Sequence, residues 1–511
     1  MVVLAALSRL CFYAEGSCVV ETDYSVIVCQ RQLFIDDYGI EKVEHLARTM
    51  HRPAKKGAVI RPNVEKGESS LQTRSAPAWD PIGRVYKLWM LTSISDWGGT
   101  TYAESEDGLH WTKPILSQYD LNGSAENNII SIDKERNWPD NAIENAVYDP
   151  DEKDALRRFK GFLNCFGREP IVSQDGIRWR RLDVPKIPSS DESNLSYDPL
   201  NRTFIATLKR GGPHGRSVTL STSKDFEHWS EPELIFNADD LDQELGRANI
   251  DRTFANPSLA HPAYNMPDKY NVDIYNMGLF CYEGIYIGLP SVYHKTGQVD
   301  NNWPGFAEWN VSPAMMANYL KSGDWCGFHH VQMICGRDLR NWHRVGDRKP
   351  FIDLSPVGAG AYDLACIIGP SFPVVRGDEL WFYYTGIKSY GGPPPSAATE
   401  RDVSAICLAV LRRDGFVSLD AGEKEGVLIT KPFSLTGGKL FVNVDAGKGE
   451  LRAQVLGKDG KTAAVSGPIK GDQLRGEAQW REGALAGLKG QIVRLRFALR
   501  NGGLYSYWLE N

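Results

Sequence analysis

Short apolar segments separated by turn-forming residues recur along most of the chain and predict a protein built from β-strands. Segments such as Tyr86–Met90, Phe159–Leu163 and Phe204–Leu208 are rich in aromatic and β-branched residues, which is typical of strands. The chain contains 14 Trp, 21 Tyr and 19 Phe together with 49 Gly and 28 Pro. This combination favours many short strands joined by tight turns over a helical bundle.

A first motif, Ser-x-Asp-Gly-x-x-Trp or a close variant, recurs after several of these apolar segments. Its copies are Ser105–Trp111, Ser173–Trp179, Ser223–Trp229 and Gly336–Trp342, and Arg412–Phe416 is a degenerate fifth. Each copy predicts a strand, a tight turn at the Asp, and an outer strand that opens on Trp. We expect the Asp to accept hydrogen bonds in the turn and the Trp to pack in the core.

A second motif alternates with the first and places an Asp-Pro or Gly-Asp turn between two apolar segments. Three close copies and two looser ones are Ser75–Pro81, Glu144–Pro150, Ser193–Pro199, Gly278–Gly284 and Phe372–Asp378. Each copy predicts a hairpin. Two hairpins in each of five repeats predict an all-β fold, a five-bladed β-propeller over residues 30–420.

The C-terminal part follows a different pattern. Leu440–Val444, Leu451–Leu456 and Val493–Phe497 alternate apolar with polar residues between glycine-rich turns, which predicts an accessory β-sandwich over residues 429–511. Residues 1–29 contain a short apolar stretch that Arg9 interrupts and that lacks the cleavage pattern of a signal peptide. This segment stays unassigned, and a secreted or periplasmic location is favoured over a cytoplasmic one.

Charge and cysteine content argue against several classes of function. The formal charge of the 511-residue chain is −6, so we expect no nucleic-acid partner, and no apolar run reaches the roughly 18–20 residues of a membrane span. The nine cysteines include no Cys-x-x-Cys pair, so no metal site or cofactor is predicted. The acidic run Asp149–Asp154 lacks the spacing of a calcium loop, and a structural calcium is not indicated. The oligomeric state is not predicted.

Acidic residues gather at one face of the predicted propeller. The Asp-Pro and Asp-Gly turns belong to the opposite face, which leaves the segments before each inner strand and the loops between middle strands. These segments supply the candidate catalytic residues Asp140, Glu144, Asp191, Glu192 and Asp273, and the candidate binding residue Asp363. The loops supply the candidate substrate-binding residues Trp97, Arg168 and His214, and a long predicted loop over His294–Phe328 adds Trp303 and Trp309.

Converging acids bordered by tryptophan suit sugar chemistry. Glycoside cleavage needs one carboxyl group that protonates the leaving oxygen and another that activates water or attacks directly. Crowding of like charges can raise the pKa of one carboxyl group so that it acts as the acid, and flat aromatic rings stack on sugar faces. Any single acid could instead be a solvated loop residue or a strand cap, so the set as a whole carries the hypothesis.

Four segments resemble glycoside hydrolase families 32 and 43, namely Leu33–Tyr38, Tyr102–Trp111, Tyr286–Pro290 and, for the sandwich, Leu440–Arg452. The resemblance implies a five-bladed propeller with three acids at its axis, one from each of the first three blades. By position these acids are Asp36, then Asp140 or Glu144, then Asp191 or Glu192; Asp36 alternatively caps the strand that closes the ring. The Trp-Met-Asn-Asp-Pro-Asn-Gly, Arg-Asp-Pro and Glu-Cys motifs of these families do not occur in the sequence, so the role of each acid stays open.

Three functions compete on this evidence, and each has a carbohydrate as its partner. The first is a glycoside hydrolase that acts on an oligo- or polysaccharide, with Glu192 or Asp191 as the general acid. The second is a non-catalytic carbohydrate-binding propeller that uses the same pocket. The third is a sialidase-like enzyme, because the first motif is similar to the Asp-box, although its Gly and Trp are spaced differently and five blades count against it.

Overall fold

The computed structural model describes residues 24–132, 141–309, 311, 313–358, 360–392, 402–482 and 485–511. These residues are mostly in β-strands, which confirms the predicted class, and they include the α-helices Asp240–Ala255 and Pro313–Ser322. The 3-10 helices are Val64–Lys66, Ala155–Arg157, Pro267–Lys269, Pro304–Glu308, Gly346–Arg348 and Leu485–Leu488. None of the helices in the described ranges is long and apolar enough to cross a membrane.

The chain divides into two compact units. The larger comprises residues 33–36 and 48–419, and the smaller comprises 37–47, 420–511 and the described residues up to Gln32. The strands Gln32–Leu33, Ala47–Met50 and Val417–Ala421 lie where the chain passes from one unit to the other.

Five groups of antiparallel strands follow one another along the larger unit. The first group contains Glu68–Gln72, Ala78–Asp80, Val85–Ile94, Trp97–Ser105 and Ile129–Ile130; the second contains Ile143–Tyr148, Phe159–Leu163, Glu169–Ser173 and Trp179–Arg181. The third contains Ser193–Asp198, Thr203–Gly212, Gly215–Ser223 and Glu233–Phe236; the fourth contains Asn271–Tyr282, Ile285–Val299, Asp324–Val331, Ile334–Gly336 and His343–Arg344. The fifth contains Cys366–Ile368, Val374–Arg376, Glu379–Ile387, Ser404–Arg412 and, from the start of the unit, Ala54–Ile60. The parallel pair Ser404–Ser70 joins the fifth and first groups into one ten-stranded sheet.

Four copies of the first motif and all five of the second form the hairpins that they predict. The fifth copy of the first motif, Arg412–Phe416, does not, because the flanking strands Ser404–Arg412 and Val417–Ala421 belong to different sheets. In the first motif, the Asp175 carboxylate accepts hydrogen bonds from the backbone N–H groups of Ile177 and Arg178 at 2.9 and 2.8 Å, and Gly176 has a φ of 71°. The indole N–H of Trp179 donates to the Gly176 carbonyl at 2.9 Å, and Trp179 pairs with Ser173. In the second motif, the Asp-Pro turns connect paired strands such as Ile143–Tyr148 and Phe159–Leu163. The turn aspartates are therefore occupied by backbone hydrogen bonds.

Hydrogen bonds between polar side chains and the backbone connect each group to the next. They link the first group to the second, the second to the third, the third to the fourth, the fourth to the fifth, and the fifth back to the first. The linking pairs are Asn145 with the carbonyl groups of Arg74 and Ser193, Ser196 with that of Leu279, Ser291 with that of Ile367, and the Thr73 N–H with the Thr385 hydroxyl. Consecutive groups are therefore bound to each other, and the fifth group is bound to the first.

The long loop expected over His294–Phe328 is largely regular structure. Ile285–Val299 runs to Val299 and pairs with Asp324–Val331, and the intervening residues include Pro304–Glu308 and Pro313–Ser322. The strand continues past His294 because its residues up to Val299 pair with the returning strand, and His294 and Thr296 are buried there.

The smaller unit is antiparallel β-structure. Its strands are Ile40–Glu44, Gly426–Thr430, Phe433–Ser434, Lys439–Leu456, Thr462–Ser466, Ile469–Glu477, Trp480–Glu482, Ile492–Arg500 and Gly502–Glu510. The long strand Lys439–Leu456 pairs with Ile469–Glu477, Ile492–Arg500 and Gly502–Glu510. Val493, Leu495 and Phe497 are buried while the arginines between them are partly exposed. The apolar and polar alternation of the sequence thus separates an inner from an outer face.

Candidate active site

A cavity of about 560 Å³ opens in the larger unit and is lined by four acidic residues. Asp96, Glu144, Asp191 and Glu192 line it together with Arg74, and we call it the carboxylate cavity. Glu144 lies near the start of the first strand of the second group, and Asp191 and Glu192 directly precede that of the third. Because these strands lie side by side, residues at equivalent ends converge although they are distant in sequence.

Arg74 occupies the centre of the acidic cluster. Its guanidinium forms a two-pronged ion pair with Glu192, and its Nε lies 3.9 Å from Oε1 of Glu144. All three residues are buried, with exposures of 5% for Arg74 and 3% for each glutamate. One cation therefore neutralises part of the charge of two carboxylates, which would otherwise be costly to bury.

Of Glu144, Asp191 and Glu192, Asp191 is the most exposed. Its side chain is 49% exposed, and Oδ2 accepts a hydrogen bond of 2.6 Å from the buried Lys209 ammonium. Burial alone raises the pKa of Asp191, but Lys209 outweighs this effect and the pKa lies below its ordinary value. Asp191 is therefore ionised at neutral pH.

The backbone around Asp191 explains its outward position. Asp191 has a φ of 60°, in the left-handed region. The N–H of Ser190 donates to the Lys209 carbonyl at 3.1 Å, and the N–H of Lys209 donates to the Glu192 carbonyl at 3.2 Å. Ser190 and Glu192, on either side of Asp191, are thus both hydrogen-bonded to Lys209, and Asp191 bulges toward the cavity.

Aromatic side chains form other parts of the cavity wall. Trp97, Tyr275 and Tyr390 line it. The Tyr275 hydroxyl donates to Oε1 of Glu192 at 3.1 Å, and the Lys209 ammonium lies 3.6 Å from the centre of the Tyr275 ring. Tyr275 therefore connects the cation beside Asp191 with the neighbouring Glu192.

The structure brings four of the sequence-predicted residues together in the cavity, namely Glu144, Asp191, Glu192 and Trp97. Asp140 lies outside the described residues. The other candidates occupy positions that do not line the carboxylate cavity.

Three candidate acids form ion pairs elsewhere in the larger unit. Asp36 receives two hydrogen bonds from Arg337 at 2.7 and 2.9 Å. Asp273 is bound by the guanidinium of Arg216 at 2.9–3.0 Å. Asp363 lies 2.6 Å from the Lys55 ammonium and accepts a hydrogen bond from the Tyr384 hydroxyl.

The remaining candidate binding residues also have other surroundings. His214 lies in the turn after Thr203–Gly212, with Nε2 3.4 Å from the exposed Asp240. Arg168 is completely buried, and its guanidinium donates to the Asn164 carbonyl. Trp303 and Trp309 pack against each other with ring centres 5.7 Å apart, and both contact Phe306.

Sequence reasoning missed the residues that organise the acids. Arg74, Cys165, Lys209 and Tyr275 all lie at the cavity or contact its carboxylates. One signal pointed to Arg74, since it directly precedes the second motif at Ser75, as Glu192 directly precedes the copy at Ser193. Within the described part of the chain, no group of three or more His, Cys, Asp and Glu side chains is arranged to hold a metal ion.

No protein-family model and no curated protein sequence matches this chain. Several solved structures do. One is described as a glycoside hydrolase; it is 13% identical, with a TM-score of 0.42 over 71% of this chain and 92% of that one. A family 32 β-fructofuranosidase from Bombyx mori is 8% identical, with a TM-score of 0.40 over 90% and 94% of the two chains. A family 43 arabinoxylan arabinofuranohydrolase from Bacillus subtilis is 10% identical, with a TM-score of 0.34 over 89% and 99%. The last two belong to the families that the sequence motifs resemble.

Proposed function

We propose that this protein is a glycoside hydrolase that cleaves an oligo- or polysaccharide in the carboxylate cavity. The observation that carries the proposal is the convergence of Glu144, Asp191 and Glu192 in one open cavity with aromatic walls. Glycoside cleavage typically uses a pair of carboxyl groups. Trp97 and Tyr390 offer ring surfaces on which a sugar can stack.

The proposed architecture is a five-bladed β-propeller followed by a β-sandwich. The five strand groups are the blades, and the closed succession of hydrogen bonds from each group to the next supports a ring. Ala54–Ile60 completes the fifth blade with a strand from the start of the unit, which would close the ring. The alternating strands of the smaller unit form the sandwich.

Asp191 is assigned as the base or nucleophile. A base or nucleophile must be ionised and must reach the substrate. The lowered pKa and the exposed carboxylate of Asp191 satisfy both requirements. Lys209 holds the carboxylate in place from the buried side.

Glu144 is assigned as the proton donor. Glu192 already accepts hydrogen bonds from the Arg74 guanidinium and the Tyr275 hydroxyl, which fixes it as an acceptor. The Glu144 carboxyl group accepts a hydrogen bond from the Cys165 thiol at 3.5 Å and lies 3.9 Å from Nε of Arg74, and both contacts are longer than those of Glu192. The geometry thus favours Glu144 over Glu192 and Asp191 for this role.

The assignment is tested with Glu144→Gln on a panel of aryl furanosides and pyranosides that differ in leaving group. We expect kcat on poor leaving groups to fall by about 100-fold or more, while KM changes little. A dinitrophenyl leaving group needs no protonation, so its cleavage should be largely retained. Asp191→Asn should abolish both reactions, and Glu126→Gln, at an exposed position outside the cavity, should change neither. Equal loss on both leaving groups would contradict the role of Glu144.

A non-catalytic carbohydrate-binding propeller is the second candidate. The observation that favours it is the pairing of Glu192 with Arg74 and of Asp191 with Lys209, which neutralises acids that a hydrolase needs. This alternative predicts glycan binding by calorimetry without turnover on a broad panel. Trp97→Ala would then weaken binding, whereas Glu144→Gln would leave it unchanged.

A further inference from the structure

The strands that begin at the carboxylate cavity end at a second cavity. This second cavity, of about 670 Å³, is lined by aromatic and proline residues of the second sequence motif. Glu144 and Tyr148 lie at opposite ends of one strand, one in each cavity, and Glu192 and Tyr197 are related in the same way. The intervening residues of these strands therefore form a layer between the two cavities.

This layer contains asparagine side chains that differ in how they are paired. The Asn145 amide donates to the carbonyl groups of Arg74 and Ser193 at 3.0 Å each and accepts a hydrogen bond from the Ser193 hydroxyl. Asn194 and Asn276 are 2% and 5% exposed. Neither amide atom of either side chain finds a hydrogen-bond partner among the residues that the structure describes.

The two unpaired asparagines belong to the same interface between the third and fourth strand groups. Asn194 lies directly opposite Thr207 in the third group. The Thr207 hydroxyl donates at 2.5 Å to the carbonyl of Met277, the residue that follows Asn276. Both asparagines therefore belong to strands that meet at this interface, with Asn194 two residues after Glu192 and Asn276 directly after Tyr275.

The chemistry of these amides selects their ligand. Buried polar groups in folded proteins are nearly always hydrogen-bonded, and an unpaired one carries its full desolvation cost. Each amide offers both a donor and an acceptor. A metal cation would engage the two oxygens and leave the two N–H₂ groups unpaired, and an anion would do the reverse. Water both donates and accepts, and it commonly occupies such sites.

We propose that ordered water binds between Asn194 and Asn276 and joins the first strands of the third and fourth groups. The water supports the layer on which Glu192 and Tyr275 rest. It does not depend on whether the carboxylate cavity cleaves sugars, because it satisfies amides that are buried in the free protein.

A crystal structure of the whole protein at a resolution that shows water tests the proposal directly. We expect a density peak at about 2.7–3.2 Å from amide atoms of both asparagines. Empty density at these amides would overturn the proposal. A peak with oxygen ligands alone at about 2.0–2.6 Å would also overturn it, because such distances identify a metal cation.

Leucine variants give an independent test in solution. If water bridges the amides, Asn194→Leu and Asn276→Leu each lower Tm, and the double variant loses less than the sum, since either change removes the same water. The paired Asn145 serves as the control, and Asn145→Leu should lower Tm as well. If the amides are dry and unpaired, the leucine variants at 194 and 276 raise Tm instead. A rise, or strictly additive losses, would contradict the proposal.

Discussion

Replacing Lys209 by methionine should change how the stability of the protein depends on pH. The Lys209 ammonium is buried, with 4% of its side chain exposed, and its contacts are Asp191 at 2.6 Å and the Tyr275 ring at 3.6 Å. Burial lowers the pKa of Lys209 to about 8, although Asp191 opposes this effect. Methionine has a similar length and carries no proton.

The size and sign of the effect follow from proton binding. In the unfolded chain Lys209 keeps its proton up to about pH 10.4, whereas in the folded protein it releases the proton near pH 8. Between these values the unfolded state binds more protons, so stability rises with pH. A gap of roughly 2.5 pKa units corresponds to about 3 kcal/mol in the free energy of unfolding. The methionine variant lacks this contribution.

The assay is urea unfolding of both proteins at pH 7, 8, 9 and 10. Other titrating groups are common to the two chains and cancel in the comparison. We expect the free energy of unfolding of the wild type, relative to the variant, to grow by up to about 3 kcal/mol across this range. Lys209→Arg is the control, because arginine keeps its charge throughout and should show no such gain. Parallel pH profiles for wild type and Lys209→Met would refute the reasoning.

Three further predictions concern the surroundings of the cavity. Asp273→Asn leaves the Arg216 guanidinium without its carboxylate, so the free energy of unfolding should fall by about 2 kcal/mol. An unchanged denaturation midpoint would show that this ion pair contributes nothing to stability. Burial raises the pKa of the Cys165 thiol, so this thiol should react slowly with iodoacetamide. After treatment at pH 8, mass spectrometry should find the exposed Cys29 labelled long before Cys165. Equal labelling rates would contradict the buried position of Cys165. Trp97→Ala removes a half-buried ring from the cavity wall and should weaken glycan binding about tenfold by calorimetry without lowering Tm; unchanged affinity would exclude Trp97 from the sugar site.

The hairpins could be predicted from the sequence because their determinants are local. In Ser173–Trp179, the serine, aspartate, glycine and tryptophan that build the turn all lie within seven residues and bond to one another. The strand character of Phe159–Leu163 likewise follows from its own composition. The extension of Ile285–Val299 beyond His294 was not predictable in this way, because it depends on pairing with residues about 30 positions away.

The candidate site was only partly predictable, and the reason lies in the cations. Asp191 and Asp273 were both candidates because each was expected to lie just before an inner strand. Asp191 faces the cavity, whereas Asp273 is bound by the Arg216 guanidinium. Arg74 meets Glu192 across 118 residues, and no spacing rule connects them. What a carboxylate can do is set by the charges it meets in space, since the same acid is a base when exposed and a structural ion when enclosed by a guanidinium. Whether the protein is a hydrolase or a binding protein therefore depends on Arg74 and Lys209. If these cations orient the acids and leave them able to react, the cavity is catalytic. If they only neutralise the acids, the cavity binds carbohydrate without cleaving it.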